Sequence, residues 1–124
     1  MLRDTDAVAT LAVKDLGVAA KFYEETLGLS RVGGEGDEVI VFASGDTAIN
    51  VYRSSYAGTN QATALTWTVA DVEDIVRRLK AKGVRFEHYD LPETSREGDI
   101  HVSGDLKVAW FKDPDGNILS LVNR

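Results

Sequence analysis

Apolar and polar residues alternate along this chain in an order that occurs twice. In the first half, a strand is predicted over residues 6–13, and Asp15 follows it at the position of a helix cap. A carboxylate there can accept the backbone N–H groups that the first helical turn leaves free. Apolar residues then recur at helical spacing until Gly28, so a helix is predicted over residues 15–27. Three short strands should follow, at residues 30–32, 38–43 and 48–52.

The second half repeats this order of elements. Residues 62–69 form a predicted strand, Asp71 can cap a helix that extends to about residue 82, and Gly83 can end it. Asp71 follows Asp15 by 56 residues (71 − 15), whereas the two terminating glycines are 55 apart (83 − 28), so the second helix is one residue shorter. Further strands are predicted at residues 84–89, 106–111 and 118–122. A period of this length with matching caps indicates a duplicated βαβββ unit.

The last two strands are joined by the sequence Asp-Pro-Asp-Gly-Asn at residues 113–117. It predicts a tight turn, because proline presets φ and because glycine and asparagine tolerate positive φ. Side chains alternate across a strand, so such a turn would place Trp110 and Ser120 opposite each other on one face.

Other segments are interpreted as turns or loops. Residues 33–37 are glycine-rich and read as a hairpin turn, and the acidic stretch 92–104 reads as a mobile loop or rim. The polar segment 54–61 is the only candidate boundary between the halves. The chain is therefore predicted to be one domain, 1–124, built from two modules at about 1–57 and 62–124.

Composition and charge narrow the classes of function. The formal net charge of −6 argues against nucleic acid or an anionic membrane as a partner. No apolar run approaches the roughly 20 residues that span a bilayer, and no signal-peptide pattern is present, so a cytoplasmic protein is expected. The absence of cysteine excludes disulfides, thiolate nucleophiles and cysteine-ligated zinc. No phosphate-binding loop, dinucleotide fingerprint, HExxH motif or Ser-His-Asp order occurs.

The two histidines are interpreted as structural residues rather than catalytic ones. His88 lies in a predicted strand and is expected to be at the surface or half-buried. His101 lies in the acidic stretch and is expected to face solvent, with Asp99 as its nearest acidic neighbour along the chain. Catalysis by either histidine is the alternative.

Three segments resemble the vicinal oxygen chelate superfamily: LAVKDLGVAAKFYEETLGL, WTVADVEDIVRRLKAKGV and WFKDPDGNILSL. That superfamily includes glyoxalase I, extradiol dioxygenases, fosfomycin-resistance thiol transferases and bleomycin-resistance proteins. The resemblance covers essentially the whole chain and implies an α+β fold in which each βαβββ module forms a curved mixed sheet. It also implies that paired modules enclose a cavity and that such chains form homodimers. Because a fold does not determine function, the activity stays open.

The resemblance also implies where a divalent metal would be held. Enzymes of the superfamily place His, Gln or Glu ligands on the module strands, and counting along this chain assigns those positions to Val8, Asn50, Ala64 and Ser120. Val8 and Ala64 have no lone pair to donate, and the other two offer only neutral oxygens. Such metals prefer imidazole or carboxylate ligands. We therefore expect no metal and no other cofactor.

Without a metal, residues on the same strand faces would line a largely neutral and partly aromatic pocket. The predicted ligand-binding residues are Thr10, Asn50, Tyr52, Thr66, Trp110 and Ser120. Trp67 has the opposite parity to Thr66 and is expected in the core, facing the helical layer. The alternative is that Trp110 merely fills the groove.

Two functions of different classes follow. The first is a metal-free protein that binds a small organic molecule and sequesters it, for example an antibiotic. The second is an enzyme of lyase, isomerase or dioxygenase type with a nonstandard or absent metal site. A homodimeric interaction module with a filled groove is a third interpretation. The sequence favours binding over catalysis and does not identify the ligand.

Overall fold

The computed structural model describes residues 1–124, which form two compact units, Met1–Thr59 and Asn60–Arg124. Each unit has one mixed sheet and one capped helical segment. The predicted α+β class with two βαβββ modules is confirmed. The cavity expected from the resemblance stays a prediction.

The strands of the first unit are β1 Ala9–Val13, β2 Ser30–Glu35, β3 Val39–Ser44 and β4 Thr47–Arg53. They form a four-stranded sheet in the order β1-β4-β3-β2. β1 runs parallel to β4, and the other neighbours are antiparallel. One parity supplies the core, with Leu11, Val13, Phe42, Ile49 and Val51 all buried. The opposite parity forms a second, more exposed face.

The helix of the first unit, α1 Leu16–Lys21, begins after Asp15, as predicted. Oδ1 of Asp15 accepts hydrogen bonds of 2.8 and 3.1 Å from two backbone N–H groups of the first turn. The helix continues as a π-helical turn, Phe22–Thr26, and the chain leaves it at Gly28, which has φ 77°. A π turn closes over one more residue than an α turn, so it accommodates the residue by which this helix exceeds the second one.

Tyr23 packs this helical segment against the sheet. Its side chain is fully buried, and its ring centroid lies 5.8 Å from that of Phe42. Phe22 meets Tyr23 edge-on at 5.3 Å. Burying a large aromatic side chain stabilises a fold by about 1.5–3 kcal/mol, so these rings hold the helix on its sheet.

Strand β2 extends to Glu35, through most of the predicted turn at residues 33–37. The reason is Gly34, where an added Cβ would lie 2.6 Å from the carbonyl oxygen of Val39 on β3. The glycines thus permit close backbone approach inside an exposed edge strand. Assigning the whole stretch to a turn was wrong.

The strands of the second unit are β5 Thr63–Thr68, β6 Phe86–Glu87, β7 Ser95–Glu97, β8 Ile100–Ser103, β9 Leu106–Lys112 and β10 Ile118–Val122. The sheet order is β5-β10-β9-β8-β7, and β6 also pairs with β9. β10 runs parallel to β5 and antiparallel to β9. This repeats the arrangement of β1, β4 and β3 in the first unit.

The acidic stretch 92–104 was predicted as a mobile loop or rim, and the assignment to a loop was wrong. It contains the antiparallel hairpin β7–β8, and β8 pairs with β9 along residues 101–103. The predicted strand at 84–89 is correspondingly short, because β6 pairs with one part of β9 and β8 with another. Two short elements therefore share the edge that a single strand, β2, covers in the first unit.

The second helix, α2 Val72–Ala81, is bounded as the sequence predicts. Oδ1 of Asp71 accepts a 3.0 Å hydrogen bond from the backbone N–H of Asp74. At the other end Gly83, with φ 91°, donates to the Lys80 carbonyl, and the next residue donates to the carbonyl of Leu79. This pair of bonds is the Schellman motif. Neither helix has the length and apolar character that crossing a bilayer requires.

The turn at residues 113–117 is organised by a buried carboxylate. Oδ1 of Asp113 accepts hydrogen bonds of 2.9 Å from the backbone N–H groups of Asp115 and Asn117, and Oδ2 accepts one of 2.8 Å from the Asn117 amide. Gly116 supplies the positive φ, 91°, that closes the turn. The turn sets the register of β9 and β10, and with it the position of Trp110 opposite Ser120.

Candidate ligand-binding site

Four residues form a continuous row across the sheet of the second unit. Thr66 on β5 pairs with Ser120 on β10, Ser120 with Trp110 on β9, and Trp110 with Glu87 on β6. Residues directly opposite each other in a sheet share one face. Three of the six predicted ligand-binding residues are therefore neighbours, and Glu87 is a member of the row that the sequence did not indicate.

Thr66 and Ser120 interact through their hydroxyl groups. Their oxygen atoms are 2.6 Å apart, and either can be the donor. Ser120 is buried, with 3% of its surface exposed, whereas Thr66 is exposed. The pair therefore satisfies the buried hydroxyl internally and leaves Thr66 in contact with solvent or a ligand.

Trp110 is half-buried and belongs to a cluster of three rings. Its ring centroid lies 4.8 Å from that of His101 and 5.2 Å from that of Tyr89, both edge-to-face. The indole Nε1–H donates a 3.1 Å hydrogen bond to Oγ1 of Thr63. We call Trp110, Tyr89 and His101 the aromatic cluster. Its contacts hold the indole in one orientation, as a binding surface requires.

His101 is buried, with 2% of its surface exposed, so the prediction that it faces solvent was wrong. Its Nε2 accepts a 2.9 Å hydrogen bond from the backbone N–H of Tyr89, and its Nδ1 lies 3.3 Å from the carbonyl oxygen of Val108. Nε2 must then hold the lone pair, which assigns the proton to Nδ1. The burial follows from strand β8, which the sequence interpretation missed.

Asp99 contacts His88 and not His101. Its Oδ1 lies 2.7 Å from Nε2 of His88, and its Oδ2 accepts a 2.7 Å hydrogen bond from Nζ of Lys80. The Lys80 ammonium, and after it the His88 imidazole, hold the pKa of Asp99 below its usual value. His88 itself is exposed, in agreement with its predicted surface role. This group joins α2 to the β7–β8 hairpin and contributes no residue to the aromatic cluster.

Trp67 lies on the opposite face of the same sheet, as its parity predicts. Its ring stacks on Phe111, with centroids 6.5 Å apart and planes 13° from parallel. Phe111 is fully buried, whereas Trp67 is half-buried rather than a complete core residue. The two tryptophans of the chain therefore report on different faces of one sheet.

The other three predicted ligand-binding residues belong to the first unit. Thr10 pairs with Asn50 across β1 and β4, just as Thr66 pairs with Ser120. Asn50 is therefore the counterpart of Ser120, which supports its assignment by counting. Tyr52 lies two residues further along the same face and exposes 37% of its surface. The structure thus brings together one set of three residues in each unit.

Tyr89 is the second participant that the sequence interpretation missed. It follows β6, half-buried, and its N–H and its ring both contact His101. The spacing of aromatic residues along the chain gave no signal, because Tyr89 and Trp110 are 21 positions apart (110 − 89). Only the pairing of β6 and β8 with β9 places them together.

The positions assigned to a divalent metal do not fit one. Val8 precedes β1, with 46% of its surface exposed, and Ala64 lies within β5. Both side chains are hydrocarbons, so neither offers a donor atom to a metal. The Ser120 hydroxyl is already bonded to Thr66. No three His, Asp or Glu side chains lie close enough together to hold an ion. The residues at these four positions therefore do not provide the ligands that a divalent metal ion requires. Metal-free binding of an organic molecule stays a prediction.

A protein-family model matches residues 6–121 of this chain. Its description is the Glyoxalase/Bleomycin resistance protein/Dioxygenase superfamily. The match covers both units, from just before β1 to the penultimate residue of β10.

Solved structures of similar proteins have the same fold. A bleomycin resistance determinant encoded on the transposon Tn5 is 20% identical, with 96% of this chain and 97% of that chain covered and a TM-score of 0.73. Lactoylglutathione lyase from Agrobacterium tumefaciens is 17% identical, with 98% and 95% covered and a TM-score of 0.72. The fosfomycin resistance protein FosX from Listeria monocytogenes is 18% identical, with 96% and 92% covered and a TM-score of 0.72. At these identities the likeness shows the fold alone.

Proposed function

The chain belongs to the Glyoxalase/Bleomycin resistance protein/Dioxygenase superfamily, and on that premise we propose that it binds a small organic molecule without a metal ion. The observation that supports this most directly is the aromatic cluster, in which two ring contacts and a hydrogen bond position Trp110 while its indole remains half-buried. A stacked ligand ring would gain about 0.5–1.5 kcal/mol beyond the burial of its area. The neighbouring Thr66 hydroxyl can hydrogen-bond a polar group of the same ligand.

The chemistry of the metal positions supports binding over metal-assisted catalysis. Val8 and Ala64 lack donor atoms, and Asn50 and Ser120 are neutral. Relatives with similar folds include two antibiotic resistance proteins, named for bleomycin and fosfomycin. We therefore propose sequestration of an antibiotic or a comparable organic compound as the form that this binding takes.

Residues of the first unit are proposed as further ligand contacts. Thr10, Asn50 and Tyr52 present two neutral hydrogen-bonding groups and a phenol on one face. An exposed face of this kind, with Val8 and Tyr52 exposing 46% and 37%, is also suited to a partner copy. We propose a homodimer, for which light scattering should return about 27 kDa (2 × 13.5 kDa) at micromolar concentration. A constant mass of 13.5 kDa would contradict it.

A fluorescence screen tests the proposed function. A binding compound should change the emission of a Trp67→Phe variant, in which Trp110 is the only indole, and should leave that of a Trp110→Phe variant nearly unchanged. A compound library that includes bleomycin-type and fosfomycin-type molecules is the appropriate start. If no compound perturbs Trp110, the filled-groove interpretation replaces this proposal.

Elemental analysis separates the binding protein from a metal enzyme. Dialysed protein should contain far less than one equivalent of Zn, Ni, Mn or Fe. Near-stoichiometric metal, or turnover of a bound compound that a chelator abolishes, would establish the enzyme instead.

A further inference from the structure

A cavity of about 190 Å3 lies beside the aromatic cluster, entirely within the second unit. Tyr89 and His101 form one wall, and Leu91, Ser95 and Arg96 contribute to the others. This is smaller than the roughly 300–1,000 Å3 of a drug-sized site, so it fits one functional group with part of a ring. None of the four residues of the row described above, Thr66, Ser120, Trp110 and Glu87, lines this cavity.

Arg96 is the one basic side chain, of arginine or lysine, in the lining of this cavity. It pairs with His101 across β7 and β8, and His101 pairs with Val108 on β9, so Arg96 shares the face of the aromatic cluster. Its Nε donates a 3.0 Å hydrogen bond to the carbonyl oxygen of Gly98. That bond orients the planar guanidinium group and leaves its Nη atoms available for a ligand.

The charge of Arg96 is not neutralised within the protein. Four other arginines form ion pairs with carboxylates: Arg31, Arg53, Arg77 and Arg78. Arg96 forms none, and neither do Arg3, Arg85 and Arg124, but of these four only Arg96 lines the cavity. Arg96 is exposed, as is Asp90, the one acidic residue of the lining, so water and salt screen both charges and low salt is needed to measure their effect.

Two hydroxyl groups remain as donors among the other polar residues of the lining, those of Tyr89 and Ser95. Both nitrogens of His101 are engaged with the backbone, so this ring acts as a wall. The hydroxyl of Thr94 donates to the Pro92 carbonyl at 2.9 Å. Tyr89 and Ser95 also line the cavity, and each carries a hydroxyl group that can donate a hydrogen bond. Donors around an unpaired cation match an anionic, oxygen-rich group.

We propose that this cavity binds the carboxylate of a small organic acid whose ring packs against the aromatic cluster. Guanidinium and carboxylate groups are both planar and can form two parallel hydrogen bonds, which favours Arg96 as the partner. The proposal rests on the proposed function and names the class of ligand. Asp90 would disfavour acids with a second negative charge on that side.

Benzoate and benzamide are a matched pair of probes, because they differ in charge but hardly in size. Binding is followed by NMR through the indole N–H of Trp110 and the Nε–H of Arg96, at low salt and up to about 10 mM probe. Wild-type protein should bind benzoate at least about tenfold more tightly than benzamide. Arg96→Gln should remove that preference, and Arg96→Lys should retain part of it.

Arg85→Gln is the control, since Arg85 is exposed and lies outside the cavity lining. It should leave the benzoate preference unchanged. Equal binding of both probes by wild type and Arg96→Gln would overturn the carboxylate subsite and leave the proposed function standing. A benzoate preference that survives Arg96→Gln would also overturn it. If neither probe shifts the Trp110 signal, the subsite is overturned, and the fluorescence screen decides the proposed function separately.

Discussion

The two units share a strand register but differ at one sheet edge, and that edge distinguishes their faces. Thr10 with Asn50 and Thr66 with Ser120 are equivalent pairs. Beside Asn50 lies Val41, whereas the equivalent position beside Ser120 is Trp110. The two units thus share a backbone arrangement, and the third strand carries valine in one unit and tryptophan in the other.

The two units also differ in the strands that form one edge of each sheet. In the first unit β2 is one continuous, exposed strand without aromatic residues. In the second unit β6 and the β7–β8 hairpin divide the same edge, and they bring Tyr89 and His101 against Trp110. The proposed binding surface therefore lies where the repeat is broken, because a divided edge can supply side chains from two directions.

The largest expected effect tests the similarity of the two cores. Phe42 and Phe111 are both fully buried at equivalent positions. Phe42→Ala and Phe111→Ala should each lower the free energy of unfolding by about 3–5 kcal/mol. Urea denaturation followed by circular dichroism measures both. A cost below about 1 kcal/mol in one variant would show that the two cores are not equivalent.

The turns between the third and fourth strands should differ more than the two cores do in their contribution to the free energy of unfolding. Asp113→Ala removes a buried carboxylate with three hydrogen bonds, at an expected cost of about 2–4 kcal/mol. In the first unit, Thr47 only donates to the Ser44 carbonyl at 2.7 Å on an exposed turn. Thr47→Ala should cost less than about 1 kcal/mol. Equal costs, measured by the same denaturation, would contradict the assignment of Asp113 as the residue that sets this register.

Ligand binding should separate Trp110 from its counterpart. Trp110→Ala should weaken the binding of a compound found by the screen by about 1–3 kcal/mol, or about 5- to 150-fold. Val41→Ala should change it by less than about threefold. Titration calorimetry measures both, and Trp110→Phe controls for loss of packing in the aromatic cluster. A larger loss for Val41→Ala would move the binding surface to the first unit.

The smallest effect concerns the ion pairs that join each helical segment to its edge strand. Glu24 and Arg31 form an exposed pair at 3.1 Å, whereas Asp99 is more buried and contacts both Lys80 and His88. Because these partners lower the pKa of folded Asp99, its contribution is complete above its unfolded pKa of about 3.9. That contribution is lost as the pH falls through the lower, folded value.

Asp99→Asn should therefore lower the free energy of unfolding by about 1 kcal/mol or less at neutral pH. Below about pH 4, the free energy of unfolding of this variant should fall less steeply with decreasing pH than that of the wild type. Glu24→Gln should cost a few tenths of that amount. Denaturation midpoints recorded from about pH 2 to 7 give the comparison. If stability falls with decreasing pH equally steeply in Asp99→Asn and in the wild type, the contacts of Asp99 with Lys80 and His88 do not contribute to stability.

Much of the candidate site was accessible from the sequence because it depends on local rules. The turn at 113–117 and the alternation of strand side chains placed Trp110 opposite Ser120 and Trp67 on the other face. Counting from the turn at 113–117 assigned Ser120, and the last strand of the first module assigned Asn50, and the structure pairs both with the equivalent threonines. Parity and turn chemistry act over a few residues, so they can be read without knowing distant neighbours.

The sequence by itself determined the helix caps, the repeat and the faces of the residues on β5, β9 and β10. Only the tertiary structure decided the burial of His101, the pairing of Asp99 with Lys80 and His88, and the position of Tyr89 against Trp110. These depend on which elements pair with the outer edge of β9, and β6 and β8 share that edge. Such pairings are long-range and arise from competition between short strands, for which no local periodicity exists.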